Sequence, residues 1–579
     1  MRQFLQDARA SSFLLVFGVT LALILVVRYP FTHFFAIDPY YHLSQARGYA
    51  AHTEITYPEL TYFSTYPADP WFGYHYLIAA GFKGADVSDP SALIERSILV
   101  HSVLSSILVA ALIMMGVSYY RTVMPVYEHR LNVWQVPRRI PSVSDARLVV
   151  LLFGIYLFVS MSFVYRALLL ERPHVLMITF VMMGLWSVIR QRYWFLPILA
   201  SLAALSYSMA LFIFIPALVL IVGWGIIDRS WSGLRTALVP LWYTGTGFVV
   251  GVALHPGAIG YLVNGIGFHA FAILQSLFWW LPSVYALPTP GEMGYQTESM
   301  IAVVVPVIVV LGAFWFIVRY GRRHFSVAET QNHAVRFEAG FTTMAVFFSV
   351  ATLLIQRAIE YAVPFLGAAC LTIVVGLVWS LAVHLHRHLL HEFPDPRSFY
   401  QTGLVIVKRL LQKKIVRYGF WGFVLTYVIA FSVFVYQLEP VVSTTDRLAD
   451  TVGALSTESG VGLVMLSTFS LYPQAVFYGP TYHYASGMDP RMTFFYDVAT
   501  SAALDQFLGQ GTRCYTTCHN QDIVGTKAFL ERVGATHLIV DDHYLLENQI
   551  TYIAEQPFLE LVYQSEVYPD VRLYRVLEE

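Results

Sequence analysis

Charged side chains are scarce in this sequence of 579 residues: they make up 13% of it, whereas hydrophobic residues make up 57%. About a quarter of the residues in an ordinary soluble domain are charged, so this chain has too few polar groups to cover several soluble domains. Basic and acidic residues nearly cancel, 36 against 37, which excludes a generally basic coat and a nucleic-acid partner. Three cysteines are too few for a disulfide-rich scaffold. The composition instead predicts a polytopic membrane protein.

Apolar runs of the length that crosses a bilayer, about 17 to 25 residues, recur along most of the chain. The clear candidates are 11–27, 97–118, 148–164, 175–189, 237–254, 300–318, 337–355, 361–383 and 419–436. No small-residue cleavage site follows the first run, so we predict a retained membrane anchor rather than a signal peptide. The stretch 193–228 is too long for one span and short for two.

The charge of the connecting loops decides how often 193–228 crosses, because Lys and Arg concentrate in cytoplasmic loops. Three loops are rich in basic residues: 119–147, 319–336 and 384–418. The loop 255–299, in contrast, contains no Lys or Arg. The basic loops share one side only if 193–228 crosses twice, with a turn near Ser206–Ser208. The sequence therefore predicts an integral membrane protein with about eleven spans, a cytoplasmic N-terminus and an external or periplasm-facing C-terminal domain.

The chain divides into two predicted domains. Residues 1–437 form the membrane domain, with a first external loop at 28–96 and a long external loop at 255–299. Residues 438–579 are less apolar, and their pattern predicts a small α/β domain outside the membrane. Its predicted strands are Gly462–Ser467, Thr536–Asp541, Leu559–Gln564 and Val571–Val576, and its predicted helix is Asp522–Val533. The fold class is thus a polytopic α-helical membrane protein with a small α/β C-terminal extramembrane domain.

The strongest local signal is the run Asp38-Pro-Tyr-Tyr-His42, directly after the first span. A carboxylate at the membrane boundary is costly unless it binds a cation. Pro39 disfavours helix at Asp38, so Asp38 is predicted to begin a helix, with His42 four residues on along the same face. The residues alone leave two interpretations open. The cluster binds a metal or substrate, or Asp38 only caps a helix while the tyrosines line the membrane interface.

The run Asp38-Pro-Tyr-Tyr-His42 resembles the first-loop motif of the catalytic subunits of oligosaccharyltransferases. These subunits belong to the membrane-embedded glycosyltransferases called GT-C. The order of parts is similar over the whole chain: many spans, an acidic first external loop and an external C-terminal domain. The resemblance implies a glycosyltransferase that takes a sugar from a polyprenyl-phosphate or polyprenyl-pyrophosphate donor on the external or luminal face.

The resemblance also implies a role for Asp38, as a ligand of a divalent cation (Mg²⁺ or Mn²⁺), as a contact to the acceptor, or as a base. The chemistry is consistent with these roles. Cleavage of a sugar–phosphate bond develops negative charge on the leaving phosphate, which a metal or a cationic side chain stabilises. A carboxylate can assist the acceptor as it approaches the anomeric carbon from the opposite face.

A second cluster in the first loop repeats the pattern of the first, with Asp69-Pro, aromatic residues and then His75. Asp69 and His75 are candidates for binding substrate beside His42. Alternatively, this cluster anchors a helix at the membrane interface.

The short second loop contains Glu171-Arg172-Pro-His174. In the family, this loop usually offers two metal-binding acids two residues apart, and here there is one. Glu171, a second candidate catalytic residue, and His174 are predicted to complete a metal site with Asp38. Alternatively, Arg172 pairs with Glu171 or binds the donor phosphate, and no metal is held.

Two later loops contain further candidates. Glu292 or Glu298 stands where the family has an acceptor-binding glutamate in its long loop, or both are solvated acids. Arg357 lies at an external tip between two spans, where a guanidinium can bind a lipid phosphate through two hydrogen bonds. A local pair with Glu360, or extension of the side chain toward water, is the alternative for Arg357.

The family's acceptor signature Trp-Trp-Asp-Tyr-Gly is absent from the C-terminal domain, so transfer to asparagine does not follow from the first-loop motif. The predicted acceptor is a protein or a glycan, and the predicted surroundings are membrane lipid. One alternative is an oligosaccharyltransferase with a divergent acceptor site. Another is a transporter or flippase for lipid-linked sugar, which we favour less because the spans contain few acids and no internal repeat is visible.

Overall fold

The computed structural model describes the greater part of the chain. The described residues are 8–28, 34, 38–53, 57–59, 61, 68–131, 153–157, 160, 163–227, 230–267, 270, 333–354, 358–372, 447–485, 487, 499–500, 526–545 and 547–577. The predicted spans 300–318 and 419–436 lie outside them, as do Glu292, Glu298 and Arg357.

The membrane domain is built from helices, most of them apolar. They are α1 (Ala8–Arg28), α2 (Asp38–Ala51), α3 (Phe72–Gly81), α4 (Pro90–Leu131), α5 (His174–Ile189), α6 (Leu196–Ser206), α7 (Ile215–Ile227), α8 (Trp231–Leu254), α9 (His333–Leu354) and α10 (Ile359–Thr372). Helix α4 starts with a proline, and the Asp89 carboxylate before it accepts a hydrogen bond from the Ser91 amide at 3.0 Å. Ser230 caps α8 in the same way, accepting from the Gly233 amide at 3.1 Å.

The predicted break within 193–228 is confirmed. Helix α6 ends at Ser206, Tyr207 is extended with φ −151° and ψ 132°, and a 3₁₀ turn at Ala210–Phe214 leads into α7. The Tyr207 carbonyl, freed from helical bonding, accepts a hydrogen bond from the Tyr261 hydroxyl at 2.9 Å. Two helices therefore replace one long span.

Within the described residues, four helical segments are long and apolar enough to cross a membrane. They are Pro90–Val123, Ala210–Ile227, Trp231–Leu254 and His333–Thr352. Shorter apolar helices are Val16–Arg28, His174–Ile189, Tyr193–Ser206, Ala258–Gly267 and Ile359–Thr372. The fold is thus that of a helical membrane protein, and the number of eleven spans stays a prediction.

The C-terminal domain is a five-stranded mixed sheet with short helices. The strands are β1 (Leu463–Leu466), β2 (His483–Tyr484), β3 (Ala535–Asp541), β4 (Leu559–Gln564) and β5 (Val571–Val576), in the order β2-β1-β3-β5-β4. Strand β1 is parallel to β2 and β3, whereas β5 is antiparallel to β3 and β4. The four predicted strands are confirmed. The two-residue β2 was not predicted, because so short a strand leaves no alternating pattern.

The helices of this domain are Ala449–Ala454, Tyr472–Tyr478, Thr526–Val533 and Glu547–Glu555. Thr526–Val533 confirms the described part of the predicted amphipathic helix. Tyr472–Tyr478 packs on α2: the Ser44 hydroxyl donates to the Val476 carbonyl and the Arg47 guanidinium to the Phe477 carbonyl, each at 3.1 Å. The first loop and the C-terminal domain are therefore in direct contact.

Helices α7 and α9 cross so closely that only glycine fits. A Cβ added at Gly223 of α7 would lie 1.9 Å from the Arg336 carbonyl oxygen, and one at Gly340 of α9 would lie 1.7 Å from that of Val219. Small residues allow such close approach between helices in a membrane. This crossing fixes α9 against the rest of the bundle.

We expect Gly223→Ala to lower the free energy of unfolding by about 1–3 kcal/mol, because the added methyl group forces two backbones apart. Thermal unfolding of the detergent-solubilised protein measures the effect. Gly225→Ala, on the same helix and with no heavy atom within 4 Å of the added Cβ, is the matched control. Equal melting temperatures for the two variants would contradict the close crossing.

Candidate functional site

The start of α2 meets the loop that precedes α5. Asp38 is the first residue of α2, followed by a proline that suits the first turn. Its Oδ2 lies 2.7 Å from Nη2 of Arg172, and its side chain is 36% exposed. The predicted catalytic carboxylate thus lies at an accessible position beside a cation. Arg172 pairs with Asp38 and not with Glu171, which was one of the interpretations that the sequence left open.

Glu171 has a different partner, Arg28 at the end of α1. Its Oε1 lies 2.7 Å from Nε of Arg28, and both side chains are buried, 3% and 1% exposed. Burial raises the pKa of the Glu171 carboxyl, and the charge of Arg28 opposes that rise. Glu171 has φ +43°, a left-handed conformation that is uncommon outside glycine. This conformation turns the backbone so that Glu171 faces α1 while Arg172 faces α2.

A chain of three buried side chains lies next to this loop. Nδ1 of His75 lies 2.6 Å from Oδ2 of Asp69, and Nε2 of His75 lies 2.8 Å from Nδ1 of His42. The Asp69 carboxylate also accepts hydrogen bonds from the Tyr49 hydroxyl and the Trp71 amide, each at 3.0 Å. The three predicted binding residues are therefore in contact with one another.

The hydrogen bonds of this chain assign the protons on the two histidine rings. Asp69 as a carboxylate accepts from Nδ1–H of His75, so Nε2 of His75 accepts from Nδ1–H of His42. Nε2 of His42 is then the acceptor nitrogen at the end of the chain. Burial and the neighbouring His75 and Arg172 lower the pKa of His42 well below its ordinary value, which keeps the ring neutral.

Tyr74 of α3 joins the histidine chain to the second loop. Its hydroxyl donates to the Glu171 backbone carbonyl at 3.0 Å, and its ring centre lies 5.5 Å from that of His42. The structure therefore brings three separate sequence signals to one place. We call this set the polar cluster: Arg28, Asp38, His42, Asp69, His75, Glu171 and Arg172.

The three predicted metal ligands do not surround a common point. Asp38 pairs with Arg172, Glu171 pairs with Arg28, and Nε2 of His174 is hydrogen-bonded to the Arg166 carbonyl. Across the described part of the chain, no group of three or more His, Cys, Asp or Glu side chains is placed to hold a metal ion. The residues as arranged do not fit a site for Mg²⁺ or Mn²⁺, so the divalent cation stays a prediction.

Sequence reasoning missed Arg28 and Tyr74. Arg28 ends the first span, where a basic residue is ordinarily a flanking charge at the membrane boundary. Only the burial of its side chain indicates another role. The sequence does not show whether a residue at the end of a helix is buried. Tyr74 is one of several aromatic residues between Asp69 and His75, and the sequence does not distinguish it from the others. Glu298 and Arg357 lie outside the described residues, and their roles stay predictions.

A cleft of about 440 Å³ lies between α2 and the C-terminal domain. Its lining includes Gln45 and Arg47 of α2, Ser88 before α4, and Thr481 of the C-terminal domain. Gln45 is 2% exposed, and among the described residues its Oε1 has no hydrogen-bond partner. Because Gln45 follows Asp38 by two helical turns, the two lie on the same face, about 10 Å apart along the axis. The lining of the cleft thus begins two helical turns along α2 from Asp38.

Comparison with known proteins identifies the architecture. No protein-family model matches the sequence, and no curated protein sequence is similar to it. Two solved structures of the oligosaccharyltransferase from Archaeoglobus fulgidus are similar to the chain, both with a TM-score of 0.52. AglB in complex with an inhibitory peptide and a dolichol-phosphate is 11% identical and matches 98% of this chain and 74% of its own. The apo form is 10% identical and matches 91% of this chain and 69% of its own.

The buried Arg28–Glu171 pair allows a test of its structural role. We expect Arg28→Met or Glu171→Met alone to lower the free energy of unfolding by about 3–5 kcal/mol, because each leaves an uncompensated buried charge. The double variant should recover most of the loss, since no charge is left unpaired. Thermal unfolding of the four proteins in detergent measures the coupling. Losses that simply add in the double variant would contradict the pairing.

The resemblance that the first-loop motif predicted is confirmed at the level of the fold: over nearly its whole length, the chain has the architecture of an archaeal oligosaccharyltransferase.

Proposed function

We propose that the chain is a GT-C glycosyltransferase that transfers a sugar from a polyprenyl-phosphate or polyprenyl-pyrophosphate donor to a protein or glycan acceptor on the external face. The observation that carries the proposal is the pair of the accessible Asp38, at the start of α2, with the largely buried Arg172, two residues before α5. It combines a carboxylate and a phosphate-binding cation in one place. The fold supports the proposal, because a similar structure of the archaeal enzyme contains an inhibitory peptide and a dolichol-phosphate.

Arg172 is the proposed ligand of the donor phosphate. A guanidinium has five N–H donors and binds phosphate through two parallel hydrogen bonds. The donor phosphate would compete with Asp38 for Arg172, and the freed carboxylate would then contact the acceptor. As the bond between the anomeric carbon and the phosphate oxygen breaks, the electron pair stays on that oxygen. Arg172 stabilises the charge that develops there.

Asp38 and His42 share one face of α2 and are the two proposed proton acceptors. The acceptor nucleophile forms its bond to the anomeric carbon, and its proton passes to the Asp38 carboxylate or to Nε2 of His42. Both ring nitrogens of His75 and the Asp69 carboxylate are already engaged in hydrogen bonds inside the chain, so neither is proposed to meet substrate directly. Their proposed role is to fix the tautomer and orientation of His42, which replaces the substrate-binding role that the sequence predicted.

Glu171 is proposed to position this site rather than to react. Its pair with Arg28 holds the left-handed turn that aims Arg172 at Asp38. The divalent cation that the resemblance implies is not needed for any of these roles. Loss of transfer in EDTA, with recovery in Mn²⁺, would assign it a place in the reaction.

The acceptor is proposed to enter through the cleft between α2 and the C-terminal domain. The cleft is large enough for several residues of an acceptor chain. The buried amide oxygen of Gln45, on the face of α2 that Asp38 shares, can accept a hydrogen bond from that chain. The alternative of an oligosaccharyltransferase with a divergent acceptor site is a special case of this proposal. The transporter alternative has less support, because the predicted spans contain few acids and no internal repeat is visible.

We expect Asp38→Asn to abolish sugar transfer and Arg172→Lys to slow it by about 10²–10³-fold, because lysine keeps the charge but loses the two-pronged phosphate contact. The assay combines the purified protein, a labelled polyprenyl-linked sugar and a membrane extract as the source of acceptor. Arg96→Lys, at an exposed position of α4, is the matched control and should keep full activity. Unchanged transfer in Asp38→Asn would remove Asp38 from the mechanism.

For the histidine chain, we expect Asp69→Asn to lower kcat by about 10–100-fold, as loss of an orienting hydrogen-bond partner does in other sites. The KM for the donor should change little, because the buried Asp69 does not contact it. Tyr49→Phe removes one hydrogen bond to Asp69 while leaving the carboxylate on His75, so its effect should be much smaller. Steady-state kinetics at several pH values would show whether the two variants differ. Equal effects would argue against a tautomer-fixing role.

A further inference from the structure

An apolar cavity lies at the end of α5 that is far from the polar cluster. Its volume is about 290 Å³, and it opens between α4, α5 and the turn that follows α5. Its lining includes Ala111, Met114, Met183, Trp186, Arg192 and Trp194. Every one of these except Arg192 presents hydrocarbon or an aromatic ring. Such walls suit an alkyl chain and would leave water without hydrogen-bond partners.

The position of the cavity separates it from the proposed donor site. Arg172 lies two residues before α5, and Arg192 lies three residues after it. A helix of 16 residues is about 24 Å long. Because 175–189 is a predicted span, we expect the two arginines near opposite faces of the membrane. A donor lipid whose phosphate is held at Arg172 cannot place the same phosphate at Arg192.

Arg192 is held at the mouth of the cavity by its backbone. Gln191 adopts a left-handed φ of 56°, and the Arg192 amide donates to the Ser187 carbonyl at 2.8 Å. The guanidinium carbon lies 5.8 Å from the centre of the Trp186 ring. Among the described residues, no carboxylate lies within 4 Å of this exposed guanidinium. Its charge is thus available to a ligand.

The neighbouring side chains fit a lipid headgroup. Trp194 is 62% exposed beside Arg192, and exposed Trp rings at helix ends favour the membrane–water interface. Arg190 donates to the Ser118 hydroxyl of α4 at 3.5 Å, and Arg121 follows Ser118 by one helical turn. Arg192 lines the groove, and Arg190 and Arg121 follow the lining residues Trp186 and Met114 by one and two helical turns. This positive charge favours a headgroup with net negative charge over a zwitterionic one.

We propose that this cavity binds one acyl chain of an anionic phospholipid, with its phosphate on Arg192. The guanidinium forms two hydrogen bonds with the phosphate oxygens, and its other face stays on Trp186. The acyl chain fills the groove between α4 and α5. The site is independent of sugar transfer, so the proposal does not rest on the proposed function.

Native mass spectrometry of the full-length protein, delipidated in detergent, tests the site. The probes are dioleoyl phosphatidylglycerol and dioleoyl phosphatidylcholine, which carry the same chains and differ in headgroup charge. We expect at least fivefold tighter binding of the first phosphatidylglycerol than of phosphatidylcholine. Arg192→Gln should abolish this preference. Arg235→Gln, an exposed arginine in the first turns of α8 that is predicted to lie on the same side of the membrane, should keep it.

A second variant tests the groove without touching the charge. Ala111→Phe fills the cavity and should weaken binding of both lipids, while leaving the melting temperature of the lipid-free protein near that of the wild type. If Ala111→Phe fails to fold, Met114→Trp at a partly exposed lining position, 38% exposed, serves the same purpose. Equal binding of the two lipids by the wild type would overturn the proposal. A preference that survives in Arg192→Gln, or binding that survives filling of the groove, would overturn it as well.

Discussion

The structure depends on the pairing of carboxylates with arginines at the point where the chain leaves the membrane. Each pair joins segments far apart in sequence: Arg28 to Glu171 and Arg172 to Asp38. A buried charge without a partner would cost several kcal/mol, so Arg28 fixes where the enclosed Glu171 can lie. Because Glu171 and Arg172 are adjacent, the two pairs tie the end of α1, the start of α2 and the start of α5 into one frame. The histidine chain rests on that frame through Tyr74.

The two pairs differ in exposure, and this difference separates their roles. Glu171 and Arg28 are enclosed and cannot exchange partners with a ligand. Asp38 is accessible although Arg172 is largely buried, 36% and 10% exposed, so a ligand can reach this pair from the side of the carboxylate. In the proposed mechanism, one pair is a fixed support and the other is an exchangeable contact. The same sequence, Glu171-Arg172, provides both, because the left-handed backbone at Glu171 sends successive side chains in different directions.

The sequence predicted the features that arise from local pattern. The strands of the C-terminal domain and the break near Ser206 follow from periodicity and from loop charge, and the structure confirms them. The choice of partners could not be predicted in this way. Whether Arg172 meets Glu171 or Asp38 depends on a single backbone angle, and the contact between His42 and His75 depends on how α2 packs on α3. The first-loop motif pointed to residues that lie together in the structure. It did not predict which of them pair with one another, nor how the predicted metal ligands are arranged.

The length of α5 connects the two ends of the molecule. At about 24 Å, this helix of 16 residues is shorter than the hydrocarbon core of a bilayer, which is about 30 Å thick. As a predicted span, it requires either that the bilayer thins around it or that the side chains of Arg172 and Arg192 extend to the headgroups. A donor phosphate would meet Arg172 without leaving the headgroup layer, so its polyprenyl chain could stay in the membrane throughout transfer. On the other face, a lipid bound at Arg192 as proposed would stabilise the opposite end of the same short helix.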